Sequence, residues 1–226
     1  MVKVAFFLAA ASAAGVFCFD KSNTESGPVS NASVAAASHA AVLVAARPGA
    51  AERSYVGSKK CKKCHLAQYK SWAKTKMGDA LASLTPGVDT EIKEQFKLDV
   101  NKNYATDEGC LRCHTTGFGK TGGYQIPDPD NKKSVRKAKK LQDVGCESCH
   151  GPGSEYVKVF EEIFKSKRMY SVEELYAAGL NKMEESVCLV CHNDQSATAV
   201  PGAVFDFEQR KKDGTHEHFP LKQRKD

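Results

Sequence analysis

Cys61-Lys62-Lys63-Cys64-His65, Cys110-Leu111-Arg112-Cys113-His114, Cys146-Glu147-Ser148-Cys149-His150 and Cys188-Leu189-Val190-Cys191-His192 are four copies of one five-residue pattern. They use eight of the nine cysteines in a chain of 226 residues. A chain of this Cys and His content would contain about 0.01 such units by chance. The spacing has a chemical reason, because two thiols three positions apart can add across the two vinyl groups on one edge of a haem. The adjacent histidine then sits beneath the iron as its proximal ligand. Paired CxxC units could instead bind zinc, and a lone unit could be a redox dithiol. Neither chemistry requires a histidine after every second cysteine, so the units read as sites for four covalently bound haem c groups.

Working outward, the units begin 49, 36 and 42 residues apart. That leaves about 40 to 45 residues of chain per haem once the N-terminal leader and the stretch after it are set aside. So little polypeptide cannot wrap each haem in its own domain. The four are expected to share one fold, to lie against each other and to replace much of the aliphatic core.

The chain opens with a basic start at Lys3, an apolar run from Val4 to Phe19 and small residues at Ala11-Ser12-Ala13. This is the pattern of an export signal. At about 16 residues the run is short for a membrane span, which takes about 20; cleavage and retention as an uncleaved anchor both fit. Residues 21–55 are rich in Ala and Ser and read as a linker, and Cys18 belongs to the leader. The organisation expected is an export signal over 1–20, a linker over 21–55 and a single tetrahaem domain over 56–226.

Ligands on the far face of each iron are scarce. Of seven histidines, four are proximal, His39 lies in the leader or linker, and only His216 and His218 remain. Four bis-histidine haems are therefore impossible within one chain; some irons use Met, Tyr, Lys or an amine, or stay open. The stretch from Cys61 to Leu84 reads as one helix, with Leu66, Tyr69, Ala73, Met77, Ala80 and Leu84 on one face. On it Met77 lies about 18 Å along the axis from His65, so it would serve another haem or act as core packing. Met169 and Met183 are weaker candidates.

Beyond the units, Ser71-Trp72, Gly117-Phe118-Gly119, Gly122-Gly123-Tyr124, Val144-Gly145 with Gly151-Pro152-Gly153, and Thr215-His216-Glu217-His218-Phe219 resemble the tetrahaem cytochrome c-554 family of ammonia-oxidising bacteria. The resemblance runs from about Gly57 to Phe219. It implies a mainly α, haem-dominated periplasmic protein with few or no strands and four haems in stacked pairs. It also implies that the His114 haem lacks a distal ligand and that His216 serves the haem of His192. Met77 stands where the family has a histidine ligating the third haem, that of His150. Met for His would raise that haem's potential, since thioether favours ferrous iron. A second departure follows Gly153, where relatives carry a histidine capping the first haem and this chain has Ser154-Glu155-Tyr156. For the His65 haem that leaves Tyr156, Met169 or no ligand.

The stretch Asn131 to Lys140 carries six basic residues and no acid. It reads either as a solvated face or as a docking patch for an acidic redox partner. The formal net charge is +6, and haem propionates and ferric cores would bring the mature protein to about +2 oxidised and about −2 reduced, so steering by the whole molecule is weak. An exported chain without a recognition fold is not expected to bind nucleic acid. Two functions compete. One is a carrier between a multihaem donor, by resemblance of the hydroxylamine oxidoreductase type, and a quinone reductase or cytochrome acceptor. The other is an enzyme converting nitric oxide, nitrite or hydroxylamine at an open haem, which needs proton donors beside the iron. No such group stands out near the last unit, and the carrier reading is the stronger.

Overall fold

The four motif segments are built on short helices of four to seven residues. In this computed structural model, which describes residues 52–200 and 202–225, α1 (Ser58–Cys61) ends on the first motif cysteine and α2 (Leu66–Trp72) starts after His65. Two single 3₁₀ turns follow, Lys76–Asp79 and Ala82–Leu84, and then α3 (Thr90–Gln95). Next come α4 (Glu108–His114), α5 (Lys132–Leu141), α6 (Cys146–His150), α7 (Tyr156–Ser166), α8 (Val172–Ala177), α9 (Glu185–Leu189) and α10 (Phe207–Asp213). Among the described residues there is no strand, only isolated bridges between Thr115 and Gln142 and between Tyr170 and Arg224. The expected export signal, most of the expected linker, Cys18 and His39 lie outside the described residues.

None of these helices exceeds 11 residues, and helices this short are marginal alone, so they are held by caps and packing. Asp107 caps α4 by accepting from the Gly109 and Cys110 amides, Asn131 caps α5 through Lys133 and Ser134, and Asp206 caps α10 through Gln209. A side-chain oxygen at this position satisfies amides that have no partner within the helix.

The expected helix from Cys61 to Leu84 is broken into four pieces. His65 leaves helical geometry at φ −117° and ψ 53°, and Thr75 is extended at φ −85° and ψ 160°. A β-carbon on Gly78 would lie 2.7 Å from the Trp72 carbonyl oxygen, so the chain folds back there more tightly than an α-helix allows. The axial distance from His65 to Met77 expected from a continuous helix therefore does not apply.

Two small apolar clusters flank the motif segments. One gathers Leu84, Tyr104, Leu111, Tyr124, Ala138 and Leu141, and joins α4 to α5. The other is Ile163, Tyr170 and Leu175, joining α7 to α8. Leu111 is a variable residue of the second unit and is fully buried, so the packing of that unit runs through its own motif.

Candidate haem centres

Each motif is one helical turn. The His65 amide donates to the Cys61 carbonyl at 2.9 Å and the His192 amide to that of Cys188 at 2.9 Å, while α4 and α6 contain the second and third units entire. Residues i, i+3 and i+4 share a helix face, so both thiols and the imidazole of each unit are offered to one side. All eight motif cysteines are free thiols. Among the described residues no three of His, Cys, Asp and Glu converge as they would around a bare metal ion. The donor set therefore fits a macrocycle that brings its own nitrogens and takes two thioethers and one axial imidazole from the chain.

The third unit is the most firmly built. Glu147, 2% exposed, accepts from the Val56 amide at 2.9 and 3.1 Å, from Gly57 at 2.6 Å and from Gly153 at 2.7 Å. It thus ties the chain before α1 and the Gly-Pro-Gly turn after α6 to one carboxyl group. Burial pushes its pKa up, against the pull of those three amides. Gly153 is required by the same contact, because a β-carbon there would meet Glu147 Oε1 at 2.9 Å and the Tyr156 hydroxyl at 3.2 Å. Gly145 lets α1 approach, since a β-carbon would sit 2.5 Å from Ser58 Oγ and 2.8 Å from Thr116 Oγ1. Ser58 Oγ accepts from the Cys146 amide at 3.2 Å, and Thr116 Oγ1 donates to the Asp143 carbonyl and accepts from the Gly145 amide, both at 2.9 Å.

These bonds hold the first unit, and the segment that follows the second, against the third. Helix α1 packs on α6, and the neighbouring thiols of Cys61 and Cys146 perturb each other, Cys146 downward and Cys61 upward. The thiols of Cys113 and Cys191 likewise perturb each other, Cys113 downward and Cys191 upward. The first unit is therefore beside the third, and the second beside the fourth.

The histidines are prepared as ligands. His114 Nδ1 lies 2.7 Å from the Ala80 carbonyl oxygen and 3.1 Å from Ser83 Oγ; a proton held there leaves the Nε2 lone pair for iron. Burial, and then the neighbouring His216, His65 and His218, hold His150 down to about 4, so its ring is neutral. Burial also lowers His65 and His192. Phe160 lies against His65 at 4.9 Å between ring centroids, and Phe205 stacks on His192 at 4.8 Å.

The candidate distal residues are placed unequally. The Met77 carbonyl accepts from the Val144 amide at 3.1 Å, and the Trp72 indole donates to the Val144 carbonyl at 2.9 Å. Met77 therefore sits at the entry to the third unit, half-buried. Tyr156 is buried, donates its hydroxyl to the Gly151 carbonyl at 3.0 Å, and has its pKa pushed up by burial. A phenol so committed fits packing rather than ligation. Met169 and Met183 are 50% and 37% exposed. The ring partners of His216 are His150 at 6.4 Å and His218 at 5.2 Å, whereas the resemblance assigned it to the haem of His192. Sequence reasoning missed Glu147 and Phe160, because a variable motif position and a helix-face aromatic carry no pattern of their own.

Single-turn units of two thiols and an imidazole, repeated on a short-helix frame, define a multihaem c-type cytochrome with covalently bound haem c. The pattern of the family described as cytochrome c554 and c-prime matches residues 60–151. Cytochrome c-554 of Nitrosomonas europaea is 34% identical over 193 residues, covering 76% of this chain and 79% of that protein. The structure of the reduced state of cytochrome c554 from Nitrosomonas europaea superposes with a TM-score of 0.65 at 33% identity, covering 78% of this chain and 91% of that one. The chain belongs to the cytochrome c-554 family, whose members are electron carriers.

Proposed function

We propose that this protein is a periplasmic tetrahaem electron carrier. Haem c is attached at Cys61 and Cys64, Cys110 and Cys113, Cys146 and Cys149, and Cys188 and Cys191, with His65, His114, His150 and His192 as proximal ligands. The observation that carries the reading is the fourfold single-turn unit, two thiols and an imidazole on one helical face, in a chain 34% identical to cytochrome c-554. Four attachment sites in so short a chain hold the haems close together, arranged as two stacked pairs along which electrons pass. The segment 56–226 acts as one tetrahaem domain, delivered by an export signal over 1–20 and a linker over 21–55. Among the described residues no helix is long and apolar enough to cross a membrane, so any membrane tether lies in the leader.

The donor is a multihaem oxidoreductase of the hydroxylamine oxidoreductase kind, and the acceptor a quinone reductase or a second cytochrome. Helix α5 supports docking to an acidic partner. Its six basic side chains, Lys132, Lys133, Arg136, Lys137, Lys139 and Lys140, are all exposed, while Ala138 and Leu141 face the core. Two of the lysines stand in the first turn, which holds no acid, although cations there oppose the helix dipole. Helix stability does not account for that placement, whereas recognition does. Helix α5 also packs on α1, which carries Cys61.

Stopped-flow mixing of the haem-loaded protein with a reduced multihaem oxidoreductase tests the reading. The expected result is rapid haem reduction that slows with added salt, with no sustained consumption of nitric oxide, nitrite or hydroxylamine. Steady turnover of any of these with a simple reductant or oxidant would make the protein an enzyme instead.

A further inference from the structure

The peptide group between Ala80 and Leu81 has one polar end on the second unit and the other on the loop that opens the third. The Ala80 carbonyl oxygen lies 2.7 Å from His114 Nδ1. A carbonyl can only accept, so Nδ1 carries the proton and Nε2 is left as the nitrogen for iron. On the other side of the same planar unit, the Leu81 amide donates to Asp143 Oδ1 at 2.9 Å. One rigid group therefore joins the imidazole of His114 to the carboxylate of Asp143. Among the described residues, His114 is the one proximal histidine whose ring nitrogen has a hydrogen-bond partner.

Asp143 is fixed at this junction. It is 7% exposed and sits at φ 67°, a left-handed backbone that Asp tolerates better than most residues. Thr116 Oγ1 donates to its carbonyl at 2.9 Å, and Gln142 Nε2 donates to its second carboxylate oxygen at 3.3 Å. Ser83 Oγ donates to the Ala80 carbonyl at 2.7 Å and lies 3.1 Å from His114 Nδ1, so it braces the same contact. A charge that accepts from one end of a peptide group strengthens the acceptor at its other end, because hydrogen bonds in a chain polarise one another. A stronger pull on the Nδ1 proton makes Nε2 more basic, which favours ferric over ferrous iron.

We propose that Asp143 is a positioning residue that acts through the Ala80–Leu81 peptide to lower the reduction potential of the haem held by His114. The inference rests on the tetrahaem reading and deepens it. The loop before the third unit thereby sets how readily the second unit gives up its electron.

The test compares the haem-loaded protein with Asp143→Asn, which keeps an acceptor for the Leu81 amide and tolerates the left-handed backbone but drops the charge. Redox titration at one neutral pH, followed by NMR, gives each haem its own midpoint through its methyl resonances. At a fixed applied potential the ferrous-to-ferric ratio of the His114 haem should rise about tenfold, or about 59 mV for a one-electron couple. The other three haems should move less, and the His114 Nδ1 proton resonance should shift upfield as its hydrogen bond weakens. A carboxyl group with a structural role alone leaves the Asn variant like the unmodified protein, so an unchanged potential overturns the assignment. A shift no larger than that of the His150 haem, whose attachment begins three residues after Asp143, overturns it too. Asp143→Gly suits the positive φ and removes acceptor and charge together. It should show the same rise, and it decides the point if the Asn variant does not fold. Absence of haem from the peptide containing Cys110, Cys113 and His114, read by mass, would instead refute the tetrahaem reading, so the two failures are distinguishable.

Discussion

Glu147 stands at a motif position that haem attachment leaves free, yet it is the residue on which the third unit depends. Removing its carboxyl group strands the amides of Val56, Gly57 and Gly153 in the interior, at about 1–3 kcal/mol for each buried group left unsatisfied. Glu147→Ala is expected to lower the stability of the haem-loaded protein by about 3 kcal/mol after partial relaxation, read from denaturant midpoints at unchanged haem content. Asp143 offers a milder test. It is 7% exposed, sits at φ 67° and accepts from the Leu81 amide at 2.9 Å. Burial raises its pKa. A raised folded-state value means that its contribution is complete below the unfolded value, about 3.9, and is lost as pH rises through the folded one. Asn keeps the acceptor and tolerates left-handed backbone. Asp143→Asn should therefore flatten the fall in stability above about pH 4, measured as melting temperature against pH. An unchanged slope would mean that another group sets it.

Helix α5 separates stability from recognition. Lys132→Glu with Lys133→Glu puts acids in its first turn, where each change should add about 0.3–1 kcal/mol of helix stability at low salt. The same pair should weaken the salt-dependent reaction with an acidic partner. A variant that melts higher and transfers electrons more slowly at low ionic strength is the expected outcome; unchanged transfer would leave α5 a solvated face. On the buried side, Leu141→Ala opens the cluster of Leu84, Tyr104 and Leu111 and should cost about 2–4 kcal/mol in the same denaturant assay. At this scale the sequence was readable where function spaces residues and misleading where only periodicity spoke. The i, i+3, i+4 units were plain, since attachment to a porphyrin edge demands them. The apolar period from Cys61 to Leu84 suggested a continuous helix, but His65, Thr75 and Gly78 break it, because a haem-binding turn and a tight return outweigh side-chain period.

At the scale of the whole molecule, the scarcity of histidines was legible by counting, and chain length alone led to the expectation that the proposed four haems crowd together. Which unit neighbours which was not, because the contacts between Cys61 and Cys146 and between Cys113 and Cys191 cross 85 and 78 residues of chain. The approach of the first unit to the third is set by Ser58 and Glu147, whose roles appear only once the chain is folded. The small apolar clusters beside the motifs agree with haem faces supplying the rest of the core, so the chain without haem should lack a cooperative melting transition that the loaded protein shows. The central claim is the pairing of four haems, and spin integration of the EPR spectrum of the fully oxidised holoprotein tests it most directly. Two coupled pairs predict broad interaction signals, with the resolved low-spin and high-spin features accounting for fewer irons than the mass-determined haem count. Independent signals from all four irons, integrating to the full count, would contradict it.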